Sequence, residues 1–248
     1  MNSDFNLTKK NQTVSIFPIS DVHVGTPLFN QEYYEYMLRK FDTTSGHKII
    51  YLLGDLMDCA TKRLGQSAYE QVLSPEEQLD YIVKSLKPYR KHIKAAVIGN
   101  HEARFRKEFD LDIMSILCDQ LGITYTTEIY DTLLINDKPY VVWGNHGTKT
   151  SQQLHLMQGQ VQRQTSHIEA NLYLYGHAHY LNSWSLVHKD GDTYKRRHYV
   201  LTGHYLNYEG SYAQEKMLKP SLPGFSKISV DSNHRTMVDL YNYDEITL

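Results

Sequence analysis

Apolar residues along the first half of the chain follow two spacings. Short apolar runs predict strands, and segments in which apolar residues recur every three or four positions predict helices. The predicted strands are Thr13–Ser20, His47–Leu53 and Ile93–Ile98. The predicted helices are Gln31–Phe41, a helix that starts at Ser74-Pro75-Glu76-Glu77 and stops before Pro88, and Leu111–Leu121 with Gly122 after it. Strands that alternate with helices in this way favour an α/β fold.

The second half of the chain is predicted to be mostly strand. Two turn signals, Asn136-Asp137-Lys138-Pro139 and Asp190-Gly191, lie between strand-like runs and predict hairpins. The predicted strands are Ile123–Glu128, Thr132–Ile135, Tyr140–Trp143, Leu172–Tyr175, Ser183–His188, Thr193–Leu201 and a strand in the tail from Lys227, with a helix over Thr150–Ile168. Because no linker or repeat interrupts the chain, we expect residues 1–248 to form one α/β domain with two sheets.

Composition narrows the class of protein. With 41% hydrophobic and 22% charged residues, the chain is typical of a soluble globular protein with a buried core. The net charge of −2 weakens the case for nucleic-acid binding but leaves room for a local basic groove. Cys59 and Cys118 are too few for a disulfide framework. The polar segment 1–12 and the lack of a long apolar run predict a cytoplasmic protein without a membrane span.

Residues whose side chains could bind a ligand or take part in catalysis follow the strand-like runs. In Leu52–Asp58, Asp55 comes at the carboxyl end of a strand, where ligands collect in open α/β sheets. Taken alone, Asp55 and Asp58 would indicate a turn with a helix-capping aspartate. Four further motifs occupy similar positions, namely Asp21-Val22-His23, Gly99-Asn100-His101-Glu102, His146-Gly147 and Gly176-His177-Ala178-His179.

Carboxylate, amide and imidazole groups dominate these motifs. Hard oxygens and borderline imidazole nitrogens suit divalent transition metals, and one carboxylate can bridge two ions about 3.5–4 Å apart. Each motif alone has a plainer interpretation. Asp21-x-His23 is typical of a polar turn, and His177-x-His179 could place two side chains on one face of a strand. Their shared position after successive strands favours a common site.

In this order the five motifs resemble the signature of the calcineurin-like metallophosphoesterase superfamily, from Ile16 to about Gly203. The resemblance implies an α/β fold in which a two-sheet β-sandwich is flanked by helices. It also implies two divalent transition-metal ions, with Mn expected and Fe, Zn or Ni as alternatives. The first ion would be held by Asp21, His23, Asp55 and His179, and the second by Asp55, Asn100, His146 and His177. Leu73–Gln78 and Gly99–Arg104 resemble, more loosely, small phosphoesterases common in phage genomes.

The same resemblance assigns His101 and Asp58 to catalysis. His101 would act as a general acid or as a cation that stabilises the transition state, and Asp58 would orient its ring. A hydroxide that bridges the metals would attack phosphorus in line, while His101 offsets charge on the leaving oxygen.

Substrate contacts are predicted for Arg104 and His204. Arg104 closely follows the Gly-Asn-His-Glu motif, and a guanidinium matches the geometry of a phosphate. The neighbouring Arg106 and Lys107 are equally well explained as a solvated helix face. His204 would contact the substrate, with a hydrogen-bonded loop histidine as the alternative. Two further cations could rim the cleft, Lys62 and Arg63.

These residues together predict a metal-dependent phosphoester hydrolase. We expect its substrate to be a phosphodiester in a nucleotide or short nucleic acid, because the leaving alkoxide of a diester needs the help that His101 could give. The alternatives are a phosphomonoesterase of the same fold and a non-catalytic metal-binding scaffold protein. The scaffold protein is disfavoured because the predicted ligands and His101 are all present. The sequence leaves the oligomeric state open.

Overall fold

The structure is a computed structural model that describes residues 2–7, 12–61, 70–148 and 150–243. Its strands are β1 (Asn2–Phe5), β2 (Thr13–Ile19), β3 (His47–Leu52), β4 (Ile93–Ala96), β5 (Thr124–Tyr125), β6 (Ile129–Ile135), β7 (Lys138–Asn145), β8 (Leu172–Tyr175), β9 (Leu181–Asp190), β10 (Thr193–His204), β11 (Gly224–Asp231) and β12 (Thr236–Asn242). Its helices are α1 (Gln31–Thr43), α2 (Pro75–Leu86), α3 (Asn100–Phe109), α4 (Ile113–Leu121), α5 (Leu154–Gln164) and α6 (Tyr212–Glu215), with a 3₁₀ helix over Lys87–His92. No helix in these described ranges is long and apolar enough to cross a membrane.

The strands form one hydrogen-bonded path in the order β1-β6-β7-β8-β10-β11-β2-β3-β4-β5, with β9 paired to β10 and β12 paired to β11. The join between β10 and β11 consists of two residue pairs, Gly203 with Phe225 and His204 with Gly224. Gly203 has a φ of +86°, and a Cβ there would lie 2.0 Å from the Gly224 carbonyl oxygen. This narrow join divides the path into a β6–β10 half-sheet, which includes β1, and a β2–β5 half-sheet, which includes β11 and β12.

Apolar residues from both half-sheets meet in a central core. Ile16 and Ile49 of the β2–β5 half-sheet belong to the same buried cluster as Ile129, Val142 and Leu174 of the β6–β10 half-sheet. The half-sheets therefore lie face to face, and the predicted β-sandwich is confirmed. Complete burial of one such side chain stabilises the fold by roughly 1.5–3 kcal/mol.

Helices cover the outer faces of both half-sheets. Phe17 and Ile50, which neighbour the residues of the central core, pack in a second cluster with residues of α1, α2 and α4. Helix α5 covers the β6–β10 half-sheet through Met157 and Val161. Strands that are buried on both faces have nearly continuous apolar sequences, which explains why β2 and β3 were predictable without strict alternation.

Helix α2 begins and helix α4 ends at the residues that the sequence predicted. The Ser74 hydroxyl accepts the N–H of Glu77, and the Glu77 carboxylate accepts the N–H of Ser74 at 2.8 Å, so α2 begins with a capping box. Gly122 ends α4 with a φ of +66°. An N-terminal cap of this kind typically stabilises a helix by about 1 kcal/mol.

Several elements differ from the prediction. The strand β1 was not predicted, and it pairs in parallel with the distant β6. The helix α3, which starts at Asn100, was also not predicted. The predicted helix Thr150–Ile168 is shorter in the structure, and the predicted strand Ile123–Glu128 is reduced to two residues. Pairing with a distant strand depends on neighbours that local sequence patterns do not describe.

Candidate metal centre

The carboxyl ends of the parallel strands meet at one edge of the sandwich. Strands β2, β3 and β4 are parallel neighbours, and so are β7 and β8, so that the residues that follow them lie close together. The predicted metal ligands are Asp21 and His23 after β2, Asp55 after β3, Asn100 after β4, His146 after β7, and His177 and His179 after β8. The structure brings six of these seven residues together in two groups, and Asn100 lies beside the second group.

The first group consists of Asp21, His23 and His179, whose ligand atoms lie within 4.8 Å of one another. His179 Nε2 is 3.2 Å from Asp21 Oδ1 and 3.2 Å from His23 Nε2. Asp55 Oδ2 approaches this group as well, at 3.8 Å from His23 Nε2. Two carboxylate oxygens and two imidazole nitrogens therefore converge where the first ion is predicted.

The second group consists of Asp55, His146 and His177, and its ligand atoms also lie within 4.8 Å of one another. His146 Nε2 is 3.2 Å from Asp55 Oδ2 and 3.0 Å from Asn100 Oδ1. The rings of His146 and His177 have centroids 5.0 Å apart. Asp55 Oδ2 is therefore close to a histidine of each group, His23 and His146.

The carboxylates of Asp21 and Asp55 each have one oxygen that accepts a main-chain N–H and one oxygen that faces the site. Asp21 Oδ2 accepts the N–H of His177 at 2.9 Å, and Asp55 Oδ1 accepts the N–H of His101 at 2.8 Å. Asp21 Oδ1 is buried and accepts no well-aligned hydrogen bond from the described part of the chain. A buried carboxylate oxygen without a donor is costly unless a cation approaches it, so this atom fits a metal ligand.

His146 is oriented by the main chain. Its Nδ1 lies 2.7 Å from the Leu53 carbonyl oxygen, which can only accept, so Nδ1 carries a proton and Nε2 faces the site. Burial lowers the pKa of His146, but the charge of Asp55 and a hydrogen bond to it outweigh burial and raise that pKa to about 9. Burial conversely raises the pKa of Asp21 and Asp55, yet the surrounding histidines hold both pKa values well below the usual range. Metal binding at Nε2 would therefore displace a proton from His146.

Five of the predicted ligands have a left-handed backbone conformation, which L-residues rarely adopt. The φ values are +52° for Asp21, +51° for His23, +50° for Asp55, +61° for His177 and +52° for His179. This conformation costs roughly 1–2 kcal/mol per residue. The strain accompanies sharp turns that aim side chains from different strands at one point, and such strain concentrates at functional sites.

Glu102 anchors the loop that carries Asp55. Its buried carboxylate accepts the N–H groups of Asp55 at 3.0 Å, Leu56 at 2.7 Å, Met57 at 3.1 Å and Gly99 at 3.1 Å. Burial, together with the charge of Asp55, raises the pKa of Glu102. Sequence reasoning used Glu102 only to recognise its motif and missed this role. Glu102 is the third residue of α3 and accepts the N–H of the Gly99 cap, which is one half of a capping box; a glutamate at this position is the signal that could have revealed it.

His101 and Asp58 form a pair beside the two groups. His101 Nδ1 is 2.8 Å from the main-chain oxygen of Asp58 and 3.2 Å from its Oδ1, and Nε2 is 3.9 Å from Asp55 Oδ2. Burial raises the pKa of Asp58, but hydrogen bonds from His101 and His23 hold that pKa well below the usual range. Residues 55–58 form no helical turn, and Met57 makes a β-bridge with Val24. Asp58 reaches His101 from an extended segment instead.

A cavity of about 390 Å³ opens beside this centre. Its lining includes residues at the centre, namely Asp55, Asn100, His101, His177 and His179. Its walls include Leu28, Tyr180, Leu206, Tyr208, Leu218 and Lys219. A cavity of this size with mainly apolar walls suits an organic group that is attached to a phosphate.

The predicted substrate contacts occupy different environments. Arg104 is half-buried on α3, one helical turn beyond His101, and it is not among the described residues that line the cavity. His204 lines the cavity but is buried, with Nε2 3.1 Å from Ser221 Oγ and Nδ1 accepting the Leu206 N–H at 3.1 Å. Burial, followed by the charge of His179, lowers the pKa of His204 well below its usual value. Its ring stacks on that of His179 with centroids 5.0 Å apart, so His204 is a hydrogen-bonded histidine at the end of β10 that contacts a predicted metal ligand.

The remaining predicted cations lie away from the centre or outside the described residues. Arg106 is paired with Asp112 at 2.9 Å on the exposed side of α3, as a solvated helix face would be. Lys62 and Arg63 lie outside the described residues.

Carboxylate and imidazole groups that converge at strand ends are typical of metal-dependent hydrolases. A model of the calcineurin-like phosphoesterase family matches residues 15–219, and the chain belongs to that family. The protein is therefore a metallophosphoesterase, a class of hydrolase that uses divalent metals. A search of curated proteins finds no match to the sequence.

Solved structures resemble the chain at low sequence identity. Vacuolar protein sorting 29 from Cryptosporidium parvum is 12% identical with a TM-score of 0.48, and the match covers 94% of this chain and 99% of that one. A 5′-nucleotidase from Candida albicans is 11% identical with a TM-score of 0.43, and the match covers 96% of this chain and 53% of that one. The nuclease MPE from Pseudomonas putida is 13% identical with a TM-score of 0.39, covering 86% and 83%.

Proposed function

We propose that the protein is a dinuclear-metal-dependent phosphodiesterase that acts on a nucleotide or a short nucleic acid. The observation that carries this proposal is the position of Asp55 Oδ2, which lies 3.8 Å from His23 Nε2 and 3.2 Å from His146 Nε2. A single carboxylate oxygen between two groups of ligands is what a pair of bridged ions needs. We also propose that residues 1–248 form one metallophosphoesterase domain.

The residues fit two divalent ions. Asp21, His23, Asp55 and His179 would hold the first ion, and Asp55, Asn100, His146 and His177 would hold the second. The mixture of oxygen and imidazole donors suits Mn²⁺, which we propose as the active metal. When bound, two such ions supply Lewis acidity to phosphoryl oxygens and lower the pKa of a water molecule.

His101 would act on the leaving-group side. Its Nδ1 is engaged by Asp58, which leaves Nε2 as the atom available toward the cavity. The main-chain oxygen and Oδ1 of Asp58 fix the orientation of the ring. That ring can donate a proton to the leaving oxygen or offset the negative charge that develops there.

Charge favours a diester over a monoester. A diester carries one negative charge, and its leaving alkoxide needs the proton or positive charge that His101 would provide. A monoester dianion would favour more cationic groups, yet Lys219 is the only lysine or arginine among the described residues that line the cavity. The apolar walls would accommodate the organic group beside the phosphorus atom.

A substrate screen tests the proposal. Mn-loaded protein is assayed with linear DNA, RNA, cyclic and linear nucleotides and simple phosphomonoesters. Metal-dependent turnover of nucleotide or nucleic-acid diesters is the expected result. Turnover of monoesters alone would favour the phosphomonoesterase, and metal binding without turnover of any substrate would favour the scaffold protein.

A further inference from the structure

We propose that Gln71 and Gln78 form a relay of hydrogen bonds that positions Asp58 and, through it, His101. Neither glutamine is a predicted site residue. Gln71 precedes α2, and Gln78 lies in its first turns. This inference rests on the proposed function, because it gives both residues a part in the step that His101 serves.

The relay starts at the Asp58 carboxylate. Oδ1 of Asp58 faces the rings of His23 and His101, while Oδ2 accepts a hydrogen bond from Gln71 Nε2 at 2.7 Å. Gln71 Oε1 accepts from Gln78 Nε2 at 3.0 Å. Gln78 Oε1 accepts the N–H of Cys59, the residue after Asp58, at 2.9 Å. The two amides therefore hold both the side chain of Asp58 and the main chain next to it.

Only one orientation of the two amides satisfies these contacts. An ionised carboxylate accepts but does not donate, so Gln71 must present its NH₂ group to Asp58 and its carbonyl group to Gln78. The Cys59 N–H can only donate, and the Leu73 carbonyl, 2.8 Å from Gln78 Nε2, can only accept. The contacts with Cys59 and Leu73 therefore fix the orientation of the Gln78 amide without reference to Gln71, and this orientation places its NH₂ group toward Gln71 Oε1. The NH₂ groups of both glutamines therefore point along the relay toward Asp58, and hydrogen bonds to the charged form favour it.

The fold provides a close-fitting space for the relay. Gln78 is completely buried, and a buried amide is costly unless its hydrogen bonds are made. Gly25 has a φ of +108°, and a Cβ there would lie 2.1 Å from Gln78 Nε2. The Gly25 carbonyl oxygen also accepts the Val72 N–H at 2.8 Å, which fixes the segment that carries Gln71. The main chain around Gly25 thus accommodates one glutamine and anchors the other.

Loss of the relay should affect His101 more than the metal ligands. His101 Nδ1 depends on Asp58 for both of its contacts, with the main-chain oxygen and with Oδ1. His23, in contrast, also faces Asp21, Asp55 and His179 through its Nε2. The expected signature is therefore a lower kcat with little change in KM or in metal content.

The principal variant is Gln71→Met, which removes the donor and keeps the length of the side chain. Gln71 is half-buried and precedes a helix, so we expect the variant to fold. In the Mn-loaded protein, kcat for bis-p-nitrophenyl phosphate should fall about tenfold, as expected for one hydrogen bond to a charged group. KM should stay within about twofold, and two ions should be retained. Gln71→Glu, which places a second carboxylate against Asp58, should lower kcat further.

A matched control and a double-mutant cycle separate the relay from general packing. Gln31→Met changes an exposed glutamine that donates to Glu35 at 2.8 Å on α1, and it should leave kcat unchanged. In a His101→Ala background, Gln71→Met should lower kcat by less than about twofold, because the positioned group is absent. An equal loss in both backgrounds, or a wild-type kcat in Gln71→Met, would overturn the relay.

A readout that does not need turnover distinguishes this inference from the proposed function. Absence of diester turnover in the wild-type protein would contradict the proposed function alone. The relay is then read from the imidazole ¹⁵N signals of His101 in the wild-type protein and in Gln71→Met. A shift of the Nδ1 signal supports the relay, and identical signals overturn it.

Discussion

His23 and His101 meet edge to face, with ring centroids 4.5 Å apart, and their Nδ1 atoms approach the same oxygen of Asp58. The distances to Asp58 Oδ1 are 3.3 Å for His23 and 3.2 Å for His101. A predicted metal ligand and the predicted catalytic residue thus contact the same carboxylate oxygen. We infer that the geometry of the metal centre and the position of His101 are linked through Asp58.

Substitution of His101 should separate chemistry from metal binding. We expect His101→Ala to keep both metals and to lose roughly two or more orders of magnitude in kcat, as a positioned acid–base group would. Turnover of bis-p-nitrophenyl phosphate and elemental analysis are measured on the same samples. The control is His155→Ala, an exposed histidine on α5. Loss of metal in His101→Ala would show that the assigned role is wrong.

Substitution of Asp55 should have the opposite effect. Asp55→Asn removes the charge from the oxygen that lies close to both ligand groups, so metal binding itself should weaken. After reloading with Mn²⁺, elemental analysis should give about two ions per wild-type chain and clearly fewer in the variant. Asp80→Asn, on an exposed face of α2, is the control. A wild-type value that saturates at one ion or none would exclude the dinuclear site.

The preference for a diester is tested with a matched pair of substrates. We expect a higher kcat/KM for bis-p-nitrophenyl phosphate than for p-nitrophenyl phosphate in the presence of Mn²⁺. If Arg104 holds the phosphate in the ground and transition states alike, Arg104→Ala should raise KM more than it lowers kcat. Arg106→Ala is the control, because Arg106 is paired with Asp112 instead. A clearly higher kcat/KM for p-nitrophenyl phosphate, the monoester, would contradict the proposed substrate class.

Glu102 should contribute to stability independently of the metals. Glu102→Gln keeps the size of the side chain but turns an NH₂ group toward main-chain donors, so buried N–H groups lose their acceptor. We expect the free energy of unfolding to fall by about 3 kcal/mol, because each buried unsatisfied group costs about 1–3 kcal/mol. The measurement is urea denaturation with a chelator present. The control is Glu209→Gln, in an exposed turn, which should change the free energy of unfolding little. An unchanged free energy of unfolding in Glu102→Gln would rule out the anchoring role.

The sequence by itself determined the features that depend on neighbouring residues. The capping box at Ser74 and the end of α4 at Gly122 involve contacts within a few positions, so their residue types suffice to predict them. The strands β2 and β3 were predictable because burial on both faces requires an almost continuous apolar run. The order of polar motifs after such runs resembles the metallophosphoesterase signature, and that resemblance nominated the ligands. Parallel strands carry their carboxyl ends to one edge, which is why these motifs could be expected to lie close together.

Tertiary structure decided which of these groups touch and what holds them. The contact of the His177 N–H with Asp21 spans 156 positions, and those of Glu102 with the Asp55 loop span between 45 and 47. The burial of His204 and the relay from Gln78 to Asp58 likewise depend on segments brought together by the fold. Local periodicity describes which face of an element is apolar, but it contains no information about the distance or direction of side chains on other elements. Those quantities are set only when the half-sheets and helices pack against one another.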